Sequence, residues 1–141
     1  MKTNRYVLIV DDFTDGREMV EEYLAFRGLE VKTASDGAGA LQLAARRPPA
    51  VVLMDLTMPG VDGWEATRRL KADPRMRDTI VIAFTANALV HDKAKALGAG
   101  ADAFIVKPYD LAALGDMVIA VLHGGRAALD GSIAGLSGSR V

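Results

Sequence analysis

The chain has 141 residues, 17 of them basic and 18 acidic, for a net charge of −1, and half are apolar. That suits one domain with a substantial core and leaves no electrostatic footprint for nucleic acid or an anionic membrane. No apolar run approaches the ~20 residues of a bilayer span, the run after residues 1–6 is too short for a signal peptide, and the lack of cysteine excludes disulfides and thiolate chemistry. The composition predicts a soluble, cytoplasmic protein.

In chain order, the first apolar run, Val7-Leu8-Ile9-Val10, ends on Asp11-Asp12. A helix is expected next, with Val20, Tyr23, Leu24 and Arg27 on one stripe, Glu18, Glu21 and Glu22 off it, and Gly28 as its stop. Residues 30–34 read as a weaker second strand, and Asp36-Gly37 opens an alanine-rich helix that Pro48-Pro49 closes. The third strand, Val51-Val52-Leu53-Met54, ends on Asp55. The loop Met58-Pro59-Gly60-Val61-Asp62-Gly63 precedes a helix from Trp64 to about Lys71, ended by Asp73-Pro74. A fourth strand, Ile80-Val81-Ile82-Ala83-Phe84, ends on Thr85. Asn87 is placed to cap a helix over about 88–97 that Gly98 stops. The fifth strand, Ala103-Phe104-Ile105-Val106, runs into Lys107-Pro108. Asp110 then caps a helix whose Leu111, Leu114, Met117, Val118, Val121 and Leu122 keep the 3-and-4 spacing of a buried face.

Short Val- and Ile-rich runs alternating with helical stretches predict a parallel sheet covered on both faces, five strands and five helices over about 5–123. Residues 124–141, with five Gly and three Ser, read as a flexible tail with no output domain.

In an open parallel sheet, ligands bind at the carboxyl ends of the strands, and the polar residues above all fall there. One Asp after a strand is an ordinary helix cap, but Asp11 and Asp12 facing Asp55 repel one another unless a cation or protons neutralise them. Oxygen donors without cysteine or a paired histidine favour a hard ion, Mg²⁺ above all, over zinc. Asp55 is then a third metal ligand or a nucleophile that takes a phosphoryl group. Lys107 either pairs with Asp55 and the phosphoryl oxygens or is a solvent-facing strand-end lysine. Thr85 either donates a hydroxyl hydrogen bond to the phosphoryl group or is an ordinary strand threonine.

Taken together, Asp11-Asp12, Asp55 with the loop Met58 to Gly63, Phe84-Thr85-Ala86 and Lys107-Pro108 resemble the receiver domain of two-component response regulators, of the CheY-like stand-alone type. The resemblance implies a flavodoxin-like fold with strand order 2-1-3-4-5. It makes Asp55 the acceptor of a phosphoryl group from a sensor histidine kinase or a histidine phosphotransfer protein. It implies Mg²⁺ held by Asp12, Asp55 and the backbone carbonyl of Thr57, with Asp11 acting partly through water. Lys107 would bind a phosphoryl oxygen, its bond to Pro108 being cis, and Thr85 with the switch aromatic Phe104 would relay the change. Phe104 stands where many relatives carry tyrosine, so an output contact through a phenolic hydroxyl is absent. Downstream binding is expected on the face of the fourth helix, fifth strand and fifth helix, with a monomer or a phosphorylation-dependent dimer, no nucleic acid and no membrane. The chain would catalyse only its own phosphotransfer and dephosphorylation.

The competing classes are a pseudo-receiver interaction module, a haloacid-dehalogenase-type phosphatase and a flavin carrier. The phosphatase expects a second Asp where Thr57 stands. The flavin carrier expects a Ser/Thr/Gly phosphate loop where the chain has Asp11-Asp12-Phe13-Thr14-Asp15. Elsewhere, Trp64 is expected to pack in a core or groove, the cluster Arg68, Arg69, Lys71, Arg75 and Arg77 to form a solvated face, and His91 and His123 to be surface residues. The small residues Ala94, Ala96, Leu97, Ala99 and Ala101 are expected to pack near the output face.

Overall fold

A computed structural model describes residues 6–56, 63–85, 98–106 and 110–129 of the chain. Five parallel strands, β1 (Tyr6–Val10), β2 (Glu30–Ala34), β3 (Val51–Asp55), β4 (Ile80–Thr85) and β5 (Ala103–Val106), form one sheet in the order β2-β1-β3-β4-β5. This is the flavodoxin-like order expected. Four helices are described: α1 (Thr14–Phe26), α2 (Gly37–Arg46), α3 (Gly63–Ala72) and α4 (Leu111–Gly124). The helix expected over 88–97, with its Asn87 cap, lies outside the described residues, so α4 here is the fifth helix of the sequence reading.

Strand alternation sorts the core into two layers. Tyr6, Leu8, Val10, Val52, Met54, Val81 and Ala83 pack with Ala40 and Ala44 of α2 and Ala66 and Leu70 of α3. Val7, Ile9, Val51, Leu53, Ile80, Ile82 and Phe84 pack with Val20 and Leu24 of α1 and with Leu114, Met117, Val118 and Val121 of α4. Residues of β1, β3 and β4 are therefore buried on both sides, which is why these strands read as unbroken apolar runs, whereas the edge strand β2 is buried only in part. By length and composition Leu111–Ala128, with mean hydropathy 1.3, is long and apolar enough to cross a membrane. In this fold its apolar stripe covers the sheet.

Local signals account for most boundaries. Gly28 ends α1 at φ +88°, a conformation glycine adopts without steric cost. The Asp36 side chain caps α2, accepting from the Gly39 N–H at 2.8 Å. Three expectations need correction. Asp110 stands at the N-cap of α4 but its side chain makes no cap hydrogen bond. Gly98 is still helical; the left-handed residue is Gly100, at φ +106°, where a Cβ would meet the Lys71 stem at 2.8 Å. The tail expected from residue 124 is folded over its first six residues: α4 runs to Gly124, a 3-10 turn spans Gly125–Ala128, and Leu129 is buried in the core. Glycines 124 and 125 suggested looseness, but Arg126 and Leu129 supply the anchors.

Two polar clusters tie down the amino ends of the strands. The Tyr6 hydroxyl donates to the Arg47 carbonyl (2.6 Å), and Arg47 stacks on the Tyr6 ring and forms a two-pronged pair with Glu30. Hydrogen bonding to Arg47 holds the Glu30 carboxyl below its ordinary range. At the other side, Asp102 accepts from Lys71 Nζ (3.0 Å), the Val81 N–H (2.8 Å) and Arg126 Nε (2.6 Å). Lys71 and Arg126 also reach the Thr79 carbonyl.

The expected basic face is thereby largely neutralised. Arg68 and Arg69 pair with Glu65, Arg75 with Asp73, and Lys71 with Asp102. Trp64 packs at the margin of the α2/α3 layer, and Ala99 and Ala101 are buried. His123 is exposed; His91, Ala94, Ala96 and Leu97 lie outside the described residues.

Asp102→Ala strands the Val81 N–H and removes two cations' partner, so it should lower unfolding stability by about 2–3 kcal/mol. Arg126→Ala, at a side chain 45% exposed, should cost about 1 kcal/mol or less. Urea unfolding followed by circular dichroism checks both, and equal midpoints for the two variants would contradict this ranking. The Thr67 hydroxyl is the buried side-chain polar atom without a partner among the described residues. Thr67→Val should therefore leave stability unchanged or raise it by up to about 1 kcal/mol in the same assay.

Candidate functional site

Because β1 and β3 are direct parallel neighbours, with Val10 opposite Met54, the residues that follow them leave the sheet side by side. Asp11, Asp12 and Asp55 offer carboxylate oxygens that all lie within 4.8 Å of one another, with Asp55 buried, Asp11 half-buried and Asp12 exposed. At an effective dielectric of about 20, two full charges at that separation repel by roughly 3–4 kcal/mol, less where water reaches Asp12. Three oxygen donors at this spacing could hold a metal ion. Nothing in the set favours a soft one.

The positions of the three acids are set by backbone. Asp11 is fixed by its N–H donating to the Ala34 carbonyl (3.2 Å), by Oδ1 accepting from the Phe13 N–H (2.9 Å), and by its carbonyl accepting from Arg17 (2.9 Å). The Asp11 side chain thus makes the turn into α1, leaving Phe13 at the N-cap with no side-chain bond. The cap role weighed for this pair is taken up as that turn, and it leaves Asp11 among the clustered acids. Asp55 is the last residue of β3, paired with Phe84, and the next N–H, of Leu56, donates to the Phe84 carbonyl at 2.9 Å. A small cleft beside it is lined by Ile9, Val20, Leu53 and Phe84 along with Asp11 and Asp55, so Asp55 has apolar walls on the sheet side.

Gly63 is a residue whose role the sequence did not disclose. It opens α3 directly against the end of β3. A Cβ there would lie 2.8 Å from Leu56 Cα and closer still to the Asp55 carbonyl oxygen. Both neighbours are backbone, so neither can swing away. The signal available was the glycine itself, placed between a loop and a helix.

Of the other expected site residues, Thr85 closes β4 with its backbone opposite Val106, two positions beyond the Ala83–Phe104 pair. Phe104 is half-buried against the α2/α3 layer. Thr57, Lys107, Pro108 and the side chain of Thr85 lie outside the described residues.

The family model described as the response regulator receiver domain matches residues 7–119. The chain belongs to that family. Among curated relatives, response regulator PleD of Caulobacter vibrioides is 40% identical over 104 residues, 74% of this chain and 23% of PleD. The chain thus spans about a quarter of that relative's length. Among solved structures, the chemotaxis protein CheY4 of Vibrio cholerae has a TM-score of 0.77 at 30% identity, covering 82% of this chain and 96% of that one. The signal receiver domain of a signal transduction histidine kinase from Syntrophus aciditrophicus has a TM-score of 0.79 at 30% identity, covering 86% and 91%. The chain is thus a two-component signalling receiver, and its acidic edge is the place to seek its chemistry.

Gly63→Ala should displace α3 from the Asp55 backbone. The expected loss is about 1–3 kcal/mol of stability, as for other overpacked sites, with a lowered affinity for divalent cations. Chemical unfolding and a cation titration read by thermal shift check this; wild-type values in both would show that the backbone here yields.

Proposed function

We propose that this receiver accepts a phosphoryl group on Asp55 from the histidine of a sensor kinase or phosphotransfer protein, and so changes its affinity for a downstream protein. The observation that carries the reading is the meeting of Asp11, Asp12 and buried Asp55 at the carboxyl edge of the sheet in a chain of the receiver family.

In the transfer, an Asp55 carboxylate oxygen forms the new O–P bond as the P–N bond to the donor imidazole breaks. The imidazole keeps the bonding pair and takes up a proton. Asp12 and Asp55, with the Thr57 carbonyl, would hold Mg²⁺ directly, and Asp11 would act partly through water. The cation would neutralise charge on the transferring group, which is most of what phosphoryl transfer asks of a protein. Lys107 would bind a phosphoryl oxygen after pairing with Asp55. The apolar wall behind Asp55 limits water, and the backbone hydrogen bond from Leu56 to Phe84 holds the attacking residue still.

The added charge then biases a two-state element. Thr85 and Phe104 would carry it, since adjacent strands place them two positions apart along the β4–β5 register. The downstream partner would bind the face that includes β5 and α4. The chain would act on no separate substrate, and would work in the cytoplasm.

Incubated with Mg²⁺ and acetyl phosphate, the intact protein should gain the mass of one phosphoryl group. Asp55→Asn should show no gain, and chelation of Mg²⁺ should abolish it. Steady release of phosphate without an adduct would instead favour a phosphatase, and no adduct despite cation binding a pseudo-receiver. Asp12→Asn tests the acids as a set. Without divalent cation its unfolding midpoint should exceed that of the wild type, because one repulsive partner is gone. With Mg²⁺ the wild type should gain stability by mass action and the variant little. A variant that gains as much as the wild type would remove Asp12 from the cation site.

A further inference from the structure

β2 stands at the end of the strand order and pairs with β1 alone. Its Ala34 carbonyl faces β1, where it accepts from the Asp11 N–H. Backbone groups alternate sides along a parallel strand, so Glu30 and Lys32 also face β1, while Val31 and Thr33 turn their N–H and C=O groups outward. Among the described residues nothing pairs with those outward groups. A free edge of this kind is a template for another extended segment.

Beside that edge runs an open groove. Thr33 and Ser35 line it from the strand, and Gly39, Gln42, Leu43 and Arg46 line it from α2. The four helix residues keep the 3-and-4 spacing of one stripe. It is about 10 Å long at 1.5 Å per residue, the rise of about three strand residues. A strand added to β2 would therefore lay its α2-side residues along this stripe.

The open charge of the edge is positive. Lys32 shares the α2 side of β2 with Ala34, and neither Lys32 nor Arg46 forms an ion pair among the described residues. Of the nearby acids, Glu30 is paired with Arg47, and Asp36 caps α2 through the Gly39 N–H. A second copy of the chain laid edge to edge would set these cations against their own kind, which is how edge lysines deter self-pairing. An acidic segment turns the same charges into attraction.

We propose that the free edge of β2 takes up an extended, acidic segment of another protein as a sixth strand, bonded to the backbone of Val31 and Thr33 with its carboxylates facing Lys32 and Arg46. Backbone hydrogen bonds give the contact its affinity, and the two cations select the partner. β2 and β5 are opposite edges of the sheet, so this contact leaves the β5 side open.

The test uses the full chain and two labelled peptides, one alternating valine with glutamate and one with lysine in place of glutamate. The glutamate peptide should bind, more weakly as salt is raised, and should slow amide hydrogen exchange at Val31 and Thr33. The lysine peptide should not bind. Methylating alternate amide nitrogens of the glutamate peptide should abolish binding for one set and spare the other, because one set faces β2 and the other faces water. The double variant Lys32→Gln/Arg46→Gln, at two exposed side chains, should bind at least tenfold more weakly while unfolding near the wild-type midpoint. Failure of the glutamate peptide to bind, tolerance of both methylated sets, equal binding by the variant, or protection confined to another element would overturn the proposal. Slow exchange at Val31 and Thr33 in the chain alone, appearing as its concentration is raised, would overturn it in favour of a second copy.

Discussion

Mutual repulsion among three carboxylates is the constraint around which the rest of the structure is arranged. Asp11, Asp12 and Asp55 would spread apart in a loop, and they are held together because they hang from the ends of adjacent parallel strands. The strands can resist because their other ends are fastened. Tyr6, Arg47 and Glu30 clamp the amino ends of β1 and β2, while Asp102, Lys71 and Arg126 clamp those of β4 and β5. Opposite charges meet at one pole and like charges at the other. The apolar layers between transmit the fastening, since a close-packed interior does not deform continuously.

The two layers are unequal in a way that follows from composition. The layer on α2 and α3 has small buried helix contacts, Ala40, Ala44 and Ala66, with Leu70 as its large one, set against the large residues of the strands. The layer on α1 and α4 uses Val, Leu and Met. At the start of α3 Gly63 lies directly against the Asp55 carbonyl, and at the α1–α4 contact Gly115 leaves room for Tyr23 and Arg27. Small residues here set distances between elements rather than merely filling space.

The strands and their order were the most legible part of the fold, because burial on both faces writes each strand as a compact apolar run. β2, an edge strand with Glu30, Lys32 and Thr33, was the faintest, yet its limits agree with expectation. Endings were harder. The segment 125–129 is held by burial of Leu129 and by Arg126 meeting Asp102, contacts between residues far apart in the chain that periodicity cannot register. Gly98 was misjudged as a stop because a second glycine, Gly100, follows two residues later, and only the backbone angle at Gly100 separates them. At the acidic edge the three aspartates were readable from their strand-end positions. The supports were not: Arg17 acts through its guanidinium on a carbonyl, and Gly63 acts by having no side chain.

Gly63 has a bearing on attempts to move this chemistry elsewhere. A designer who copied the three aspartates onto the ends of two neighbouring strands of another sheet would reproduce the donors and the spacing. The graft would still be incomplete if the helix that follows the second strand began with any larger residue, because its first turn could not settle against the carbonyl that aims the buried acid. The smallest transplantable unit therefore includes an empty volume as well as three charges, and that volume has to be inherited along with them.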